Sequence, residues 1–392
     1  MLLRRISVIT FGAFIAGSAA EAAMPVMAPP EGQLSEPLHT LAGPAEPSEI
    51  AAYTPDGGRL ISADDDGVRV WDAATGAPIA SFQEPGARID GTAISPDGKR
   101  VVAAYNKGYA KIWDVASGKA IATLSGHTNS LLGARYSLGG ARVLTWSYDG
   151  SVRIWDAETG ASVAVFDGGF DLVYDAAFSP DGTLVAIASR GTASSDVSAN
   201  GIVELWSVAR AAWVRTLVGQ SASDIRNVVF ADDGATVFAT GSPLRRSVKA
   251  DVFRWDVASG DLKTTYAGHT DTVFTVEIAP DKTHILTGSY DGTARIFEIE
   301  SGAPVTTFAR HAGGVTSATY SPDGRMVLTA GTLTGEVPKD GTARLWDVAS
   351  GQILRIINAD PKYLETAIFA PDGQTLATAG SDGTIRIWPT AS

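Results

Sequence analysis

The chain has no cysteine among its 392 residues. That absence excludes disulfide staples, thiolate metal centres and a cysteine nucleophile. Histidine is scarce, five in all, so general-base chemistry has few candidates. Positive charge is short as well: 31 Lys and Arg face 43 Asp and Glu, for a net charge of −12. An acidic chain without a basic stripe argues against nucleic acid, because phosphate contacts dominate that affinity. No Gly-rich phosphate loop follows a strand and opens a helix, so nucleotide binding has no support. The long apolar run near the start, "ISVITFGAFIAGSAA" at 6–20, is too short and too rich in Gly and Ala to predict a membrane span.

That run has a different reading. "MLLRR" precedes it and "AEA" (Ala20–Ala22) follows, which together predict a secretory signal peptide over 1–22. With Arg4, Arg5 and Glu21 removed, the mature charge is near −13. No cysteine follows the run, so no lipidated N-terminus is expected, and the protein is expected to be periplasmic or secreted, without stable membrane insertion. Residues 23–36, "AMPVMAPPEGQLSE", read as a flexible tether. The folded part is expected over 37–392.

What is abundant is glycine, 42 residues, and with it a repeat. A β-branched run ending in an aromatic recurs as "VRVWD", "AKIWD", "VRIWD", "VELWS", "VFRWD", "ARIFE", "ARLWD" and "IRIWP". The key aromatics are Trp71, Trp113, Trp155, Trp206, Trp255, Phe297, Trp346 and Trp388, spaced 42, 42, 51, 49, 42, 49 and 42 residues apart. "SPDG" or a relative precedes each second strand, and its Pro, Asp and Gly suit a hairpin turn. "YDG", "KDG" or "SDG" turns the chain into the Trp strand, and "ASG" or "ATG" turns it into a fourth. Four antiparallel strands every 40–45 residues make one blade of a propeller.

Over residues 37–389 the chain resembles the WD-repeat family. The resemblance implies an all-β fold: a single β-propeller of eight blades, although seven is the commoner number in that family. It also implies a buried hydrogen-bonded network of His, a second-strand Ser or Thr, the turn Asp and the Trp. Blade 3 has His127, Ser147, Asp149 and Trp155; blade 6 has His269, Ser289 and Asp291 but Phe297; blade 7 has His311, Asp340 and Trp346. Lys107 and Lys249 replace the turn Asp in blades 2 and 5, which are expected to hold by packing alone. The last repeat has three strands, whereas "PLHTLAG" (37–43) is a fourth strand with no blade before it. Leu38 to Ala42 are expected to complete blade 8 and remove the open edge.

On the family's top face, one residue per blade is expected beside the axis: Glu49, Asp90, Leu132, Tyr174, Arg226, Phe274, Thr316 and Glu365. Aromatic residues and Arg are enriched at interface hot spots, so Leu132, Tyr174, Arg226 and Phe274 in blades 3–6 are the candidate contacts, against packing on neighbouring loops. Trp146, Tyr148 and Tyr290 flank the same turns. Three insertions, 190–200, 242–250 and 332–339, rise from this face, and Arg245, Arg246 and Lys249 place a basic cluster on one of them. The reading is a non-enzymatic scaffold, monomeric or within a larger complex, holding a protein or peptide partner. Rivals remain. The rim acids Glu49, Asp90 and Glu365 are the candidate cation ligands of a lactonase-like or quinoprotein-like propeller enzyme. Asp64, Asp65 and Asp66 offer Ca²⁺ oxygen ligands or form an ordinary Asp-rich turn. An aromatic patch also suits sugar rings. No metal and no cofactor are assigned.

Overall fold

The computed structural model describes residues 32–34, 36–42, 49–64, 67–192, 201–219, 223–243, 250–332 and 340–391. The expected signal peptide, most of the tether, Asp65, Asp66, Arg245, Arg246, Lys249 and most of the three insertions lie outside the described residues.

Eight sheets form the fold, each built on four antiparallel strands. Blade 3 is typical, with strands at Leu131–Tyr136, Arg142–Ser147, Ser151–Asp156 and Ser162–Asp167. The second strand of a blade is buried along almost its whole length, as in Arg142–Ser147. It has neighbours on both edges and adjoining blades on both faces, which is why "RVLTWS" reads as a run rather than an alternation. The fourth strand is outermost and alternates: in Ser162–Asp167, Ala164 and Phe166 are buried while Val163 and Val165 are exposed.

Eight apolar clusters hold the ring, one at each blade-to-blade junction. Between blades 3 and 4, Trp146, Ile154 and Phe166 meet Phe170, Val185 and Trp206. The junction of blades 8 and 1 is built alike, from Ile385, Ile387, Tyr53, Leu60 and Trp71, with Leu41 among them. The innermost strand of blade 1 lies against those of both blade 2 and blade 8, so the ring is closed and the blade number is eight.

The expected closure is present. We label Gly32–Leu34 β1 and His39–Ala42 β2. β2 pairs antiparallel with Thr384–Pro389, Leu41 opposite Ile385, and the Leu38 amide donates to the Ile387 carbonyl at 2.8 Å. His39 Nε2 bonds to the Ala74 carbonyl of blade 1 at 2.8 Å.

β1 falls within the expected tether, which is strand at Gly32–Leu34. It adds a fifth strand, parallel, to the outer strand of blade 7, Ile353–Asn358, with Gly32 opposite Arg355. That edge strand, "ILRIIN", is largely apolar, and an uncovered apolar edge invites pairing with another chain. Under β1, Leu354 and Ile356 are half-buried. Their counterparts in blade 3, Val163 and Val165, are exposed.

Candidate functional site

The first strand of each blade lines the axis, and each carries a one-residue bulge near its start. The extra residue is Asp90, Leu132, Tyr174, Arg226, Phe274, Thr316 and Glu365 in blades 2 to 8. A bulge takes one residue out of the ladder and re-aims its side chain. In blades 2 to 8 the residue expected beside the axis is thus the bulged one. Blade 1 departs from it. Its bulge sits at Ala51, and Glu49 is an ordinary ladder residue opposite Ala63.

Two contact pairs occupy neighbouring blades. The Arg226 guanidinium lies over the Tyr174 ring, 4.1 Å from its centroid. The Tyr174 hydroxyl donates to Asp224 Oδ2 at 3.1 Å, and Arg226 reaches the same oxygen at 3.6 Å. In blade 6 the Phe274 and Tyr290 rings meet edge to face at 5.6 Å. Burial raises the pKa of both tyrosines, so both phenols are neutral hydrogen-bonding groups at pH 7. Tyr148 is 43% exposed. Leu132 packs instead onto the core between blades 3 and 4. Trp146 does not extend the patch. It is buried, and its indole N–H donates to the Tyr174 carbonyl at 3.2 Å. Gly133 makes this possible, because a Cβ there would lie 2.2 Å from the indole.

A polar bracket beneath these residues was not anticipated. Asp175, next to Tyr174, receives Arg135 at 3.0 Å, the Asn227 amide nitrogen at 2.9 Å and the Val228 backbone N–H at 3.0 Å. Arg135 also reaches the Val228 carbonyl at 3.4 Å and stands 5.7 Å from the Trp146 ring. Burial pushes the Asp175 carboxyl up, and Arg135 opposes it. One carboxylate thus ties blades 3, 4 and 5 through the residues beside Tyr174 and Arg226. The signal in the sequence is slight: an Asp and an Asn directly after the bulge, where blades 2 and 3 have Gly91 and Gly133.

Three of the five histidines are structural. His127 bonds Asp149 through Nδ1 and Thr145 through Nε2, both at 2.9 Å, and Trp155 Nε1 donates to the same Thr145 hydroxyl at 2.8 Å. His311, Asp340, Thr329 and Trp346 repeat this relay in blade 7. His269, Asp291 and Thr287 do so in blade 6, without the indole of a Trp. The linking hydroxyl is therefore Thr145, not Ser147. Ser147 lies two residues on, donates to the Asn129 and Ser130 carbonyls and accepts the Asp149 N–H. Side chains two apart share a face, so Ser147 had been a plausible partner, but it lies too near the turn to bridge His and Trp. Burial lowers all three histidine pKa values, so the rings are neutral. Blades 2 and 5 are not held by packing alone: Trp113 donates to the Tyr105 hydroxyl and Trp255 to the Val218 carbonyl, each at 3.3 Å.

Of the rim acids, Asp90 is largely buried and paired with Arg88 at 2.7 Å, and Glu49 lies off the bulge position. Thr316 is buried, its hydroxyl on the Glu365 carbonyl at 3.4 Å. Asp64 pairs with Arg69 and accepts the Gly67 N–H at 3.1 Å. Among the described residues no three His, Asp or Glu side chains gather as a metal site.

Comparison with known proteins agrees with this geometry. The WD domain, G-beta repeat, matches residues 35–72, 118–156, 160–207, 260–298, 302–347 and 352–389, well over half of the chain. The chain belongs to the WD40 repeat family. The unmatched stretches contain the Trp strands of blades 2 and 5, the two with Lys in place of the turn Asp. Among curated relatives, the COMPASS component SWD3 of Saccharomyces cerevisiae is 32% identical over 126 residues, 32% of this chain and 35% of that one. THO complex subunit 6 of Arabidopsis thaliana is 41% identical over 63 residues, 16% and 17% of the two chains. Autophagy-related protein 16 of the same plant is 27% identical over 101 residues, 26% and 18%. The matches thus span about a third or less of these relatives' length. The crystal structure of the computationally designed Ika8 protein superposes with a TM-score of 0.74 at 20% identity, covering 91% of this chain and all of Ika8. That likeness concerns the fold alone.

Proposed function

We propose that this WD40 propeller is a non-enzymatic scaffold that holds a protein or peptide partner on its top face over blades 4 to 6. The observation that carries the reading is the preassembled surface of Tyr174, Arg226, Phe274 and Tyr290, braced below by the Asp175 bracket. Rigid aromatic and guanidinium groups contribute binding area while losing little side-chain freedom on association. The best acid–base candidates, the buried histidines, are committed to the relays inside the blades. Two of the relatives are named as parts of complexes, which supports the same class. The leader over 1–22 supports export, and N-terminal sequencing of the mature protein tests that part.

The test of the face is capture of native partners by crosslinking and mass spectrometry. The pair Phe274→Ala and Arg226→Ala is expected to abolish capture with no change in melting temperature. Equal capture by this variant would move the site elsewhere.

A further inference from the structure

We infer that the partner segment recognised on this face carries a carboxylate for Arg226, set close to an apolar or aromatic side chain for Phe274 and Tyr290. The inference rests on the top-face reading above and names what that face selects.

Arg226 is anchored but underused. Tyr174 covers one face of its guanidinium. Its ion partner, Asp224, spends Oδ2 on the Tyr174 hydroxyl at 3.1 Å and stands 3.6 Å from Arg226, longer than a charge-assisted hydrogen bond. The side chain is 34% exposed, and its buried Nε has no acceptor. A planar fork of five donors, held by stacking and only loosely paired, matches a carboxylate bidentately. Arg190 and Asp171, both exposed, stand 3.9 Å apart and offset one another. Asp224 is turned inward, with 10% of its side chain exposed. The outward charge that Arg226 presents is therefore positive on a chain whose net charge is −12, and that complementarity selects an acidic ligand. The next blade supplies the apolar half through the Phe274–Tyr290 pair. Acid and apolar pockets on adjacent blades suit an extended peptide, which places successive side chains at short, regular intervals.

The experiment is selection of a random linear peptide library on the immobilised full-length chain, in parallel with Arg226→Ala, Arg226→Glu and Phe274→Ala. Circular dichroism and melting temperature first confirm that each variant folds. Enriched peptides are expected to place Asp or Glu within a few residues of Phe, Trp, Tyr or Leu. The best peptide should lose about tenfold or more in affinity on Arg226→Ala. Replacing its own acid by the amide should cost nothing further on that variant. Arg226→Glu should enrich Lys or Arg at the same place. Peptides that need Phe274 yet carry no acid, or that ignore Arg226→Ala, overturn this inference and leave the top-face reading standing. Enriched peptides indifferent to both Phe274 and Arg226, or neither an enriched peptide nor polygalacturonate binding, refute the top-face reading itself. Binding of polygalacturonate with no enriched peptide overturns the peptide in favour of an acidic glycan.

Discussion

The closure of the ring can be tested at one side chain. Leu41 is 1% exposed and sits in the cluster joining blade 8 to blade 1. The strand that carries it has only four residues. Leu41→Ala removes the equivalent of about three buried methylenes, worth ~2.4 kcal/mol at ~0.8 kcal/mol each. The cavity left behind raises the cost to about 3–4 kcal/mol. With an unfolding entropy of about 2.1 cal/mol/K per residue over a ring of ~350 residues, 3 kcal/mol lowers the melting temperature by about 4 °C. Leu38, three residues earlier and 52% exposed, is the control, and its Ala variant should cost less than ~0.5 kcal/mol. Calorimetry reads the first effect. Hydrogen exchange reads its place: amides of His39–Ala42 and of Thr384 to Ile387 should lose protection while blades 3 to 5 keep theirs. If Leu41→Ala melts within 1 °C of the parent and exchange at 384–387 is unchanged, β2 is not the clasp.

Other consequences can be measured alongside. Thr145→Val and Thr329→Val each strand the His Nε2 acceptor and the Trp N–H donor, so denaturant titration should show them costlier than Thr287→Val by about 1–3 kcal/mol, since blade 6 has Phe297 in place of the Trp. Acid should destabilise the fold in two stages. The three relay histidines have folded pKa values held down by burial, so the unfolded chain takes up protons first and stability falls as pH drops below about 6.5. Asp149, Asp291 and Asp340 lie below their usual range: burial resists their charge, but backbone N–H, hydroxyl and His contacts outweigh it, so a further loss follows below about pH 4. His269→Gln should flatten part of the first stage in melts at pH 5 to 7. Glu277 goes the other way. Burial raises it to about 7, so its contribution to stability declines as pH rises from about 4.5 through 7, and Glu277→Gln should remove that slope. Starting the chain at Glu36 removes β1, and melting should change little while light scattering reports self-association through the uncovered Ile353–Asn358 edge.

Much of the architecture was legible because it is local and repeated. An aromatic-ended strand recurs eight times with its flanking turns, and each copy needs only its neighbours in sequence to form a meander. Even the closing strand could be inferred, since a missing fourth strand at one end matched a surplus one at the other. The sequence by itself therefore determined the blades and their number, and in seven of them the residue expected beside the axis is the one that bulges. Tertiary structure alone decided what those bulged residues do. Whether Leu132 packs or protrudes, whether Asp90 stays open or meets Arg88, and which hydroxyl joins His127 to Trp155 depend on distances of a few ångströms. The Asp175 bracket joins residues 40 and 52 positions apart, and β1 lies on a strand more than 300 residues away. Such pairings are set by the rotation of one blade on the next, and a hydrogen bond falls off too steeply with distance for a linear pattern to specify it.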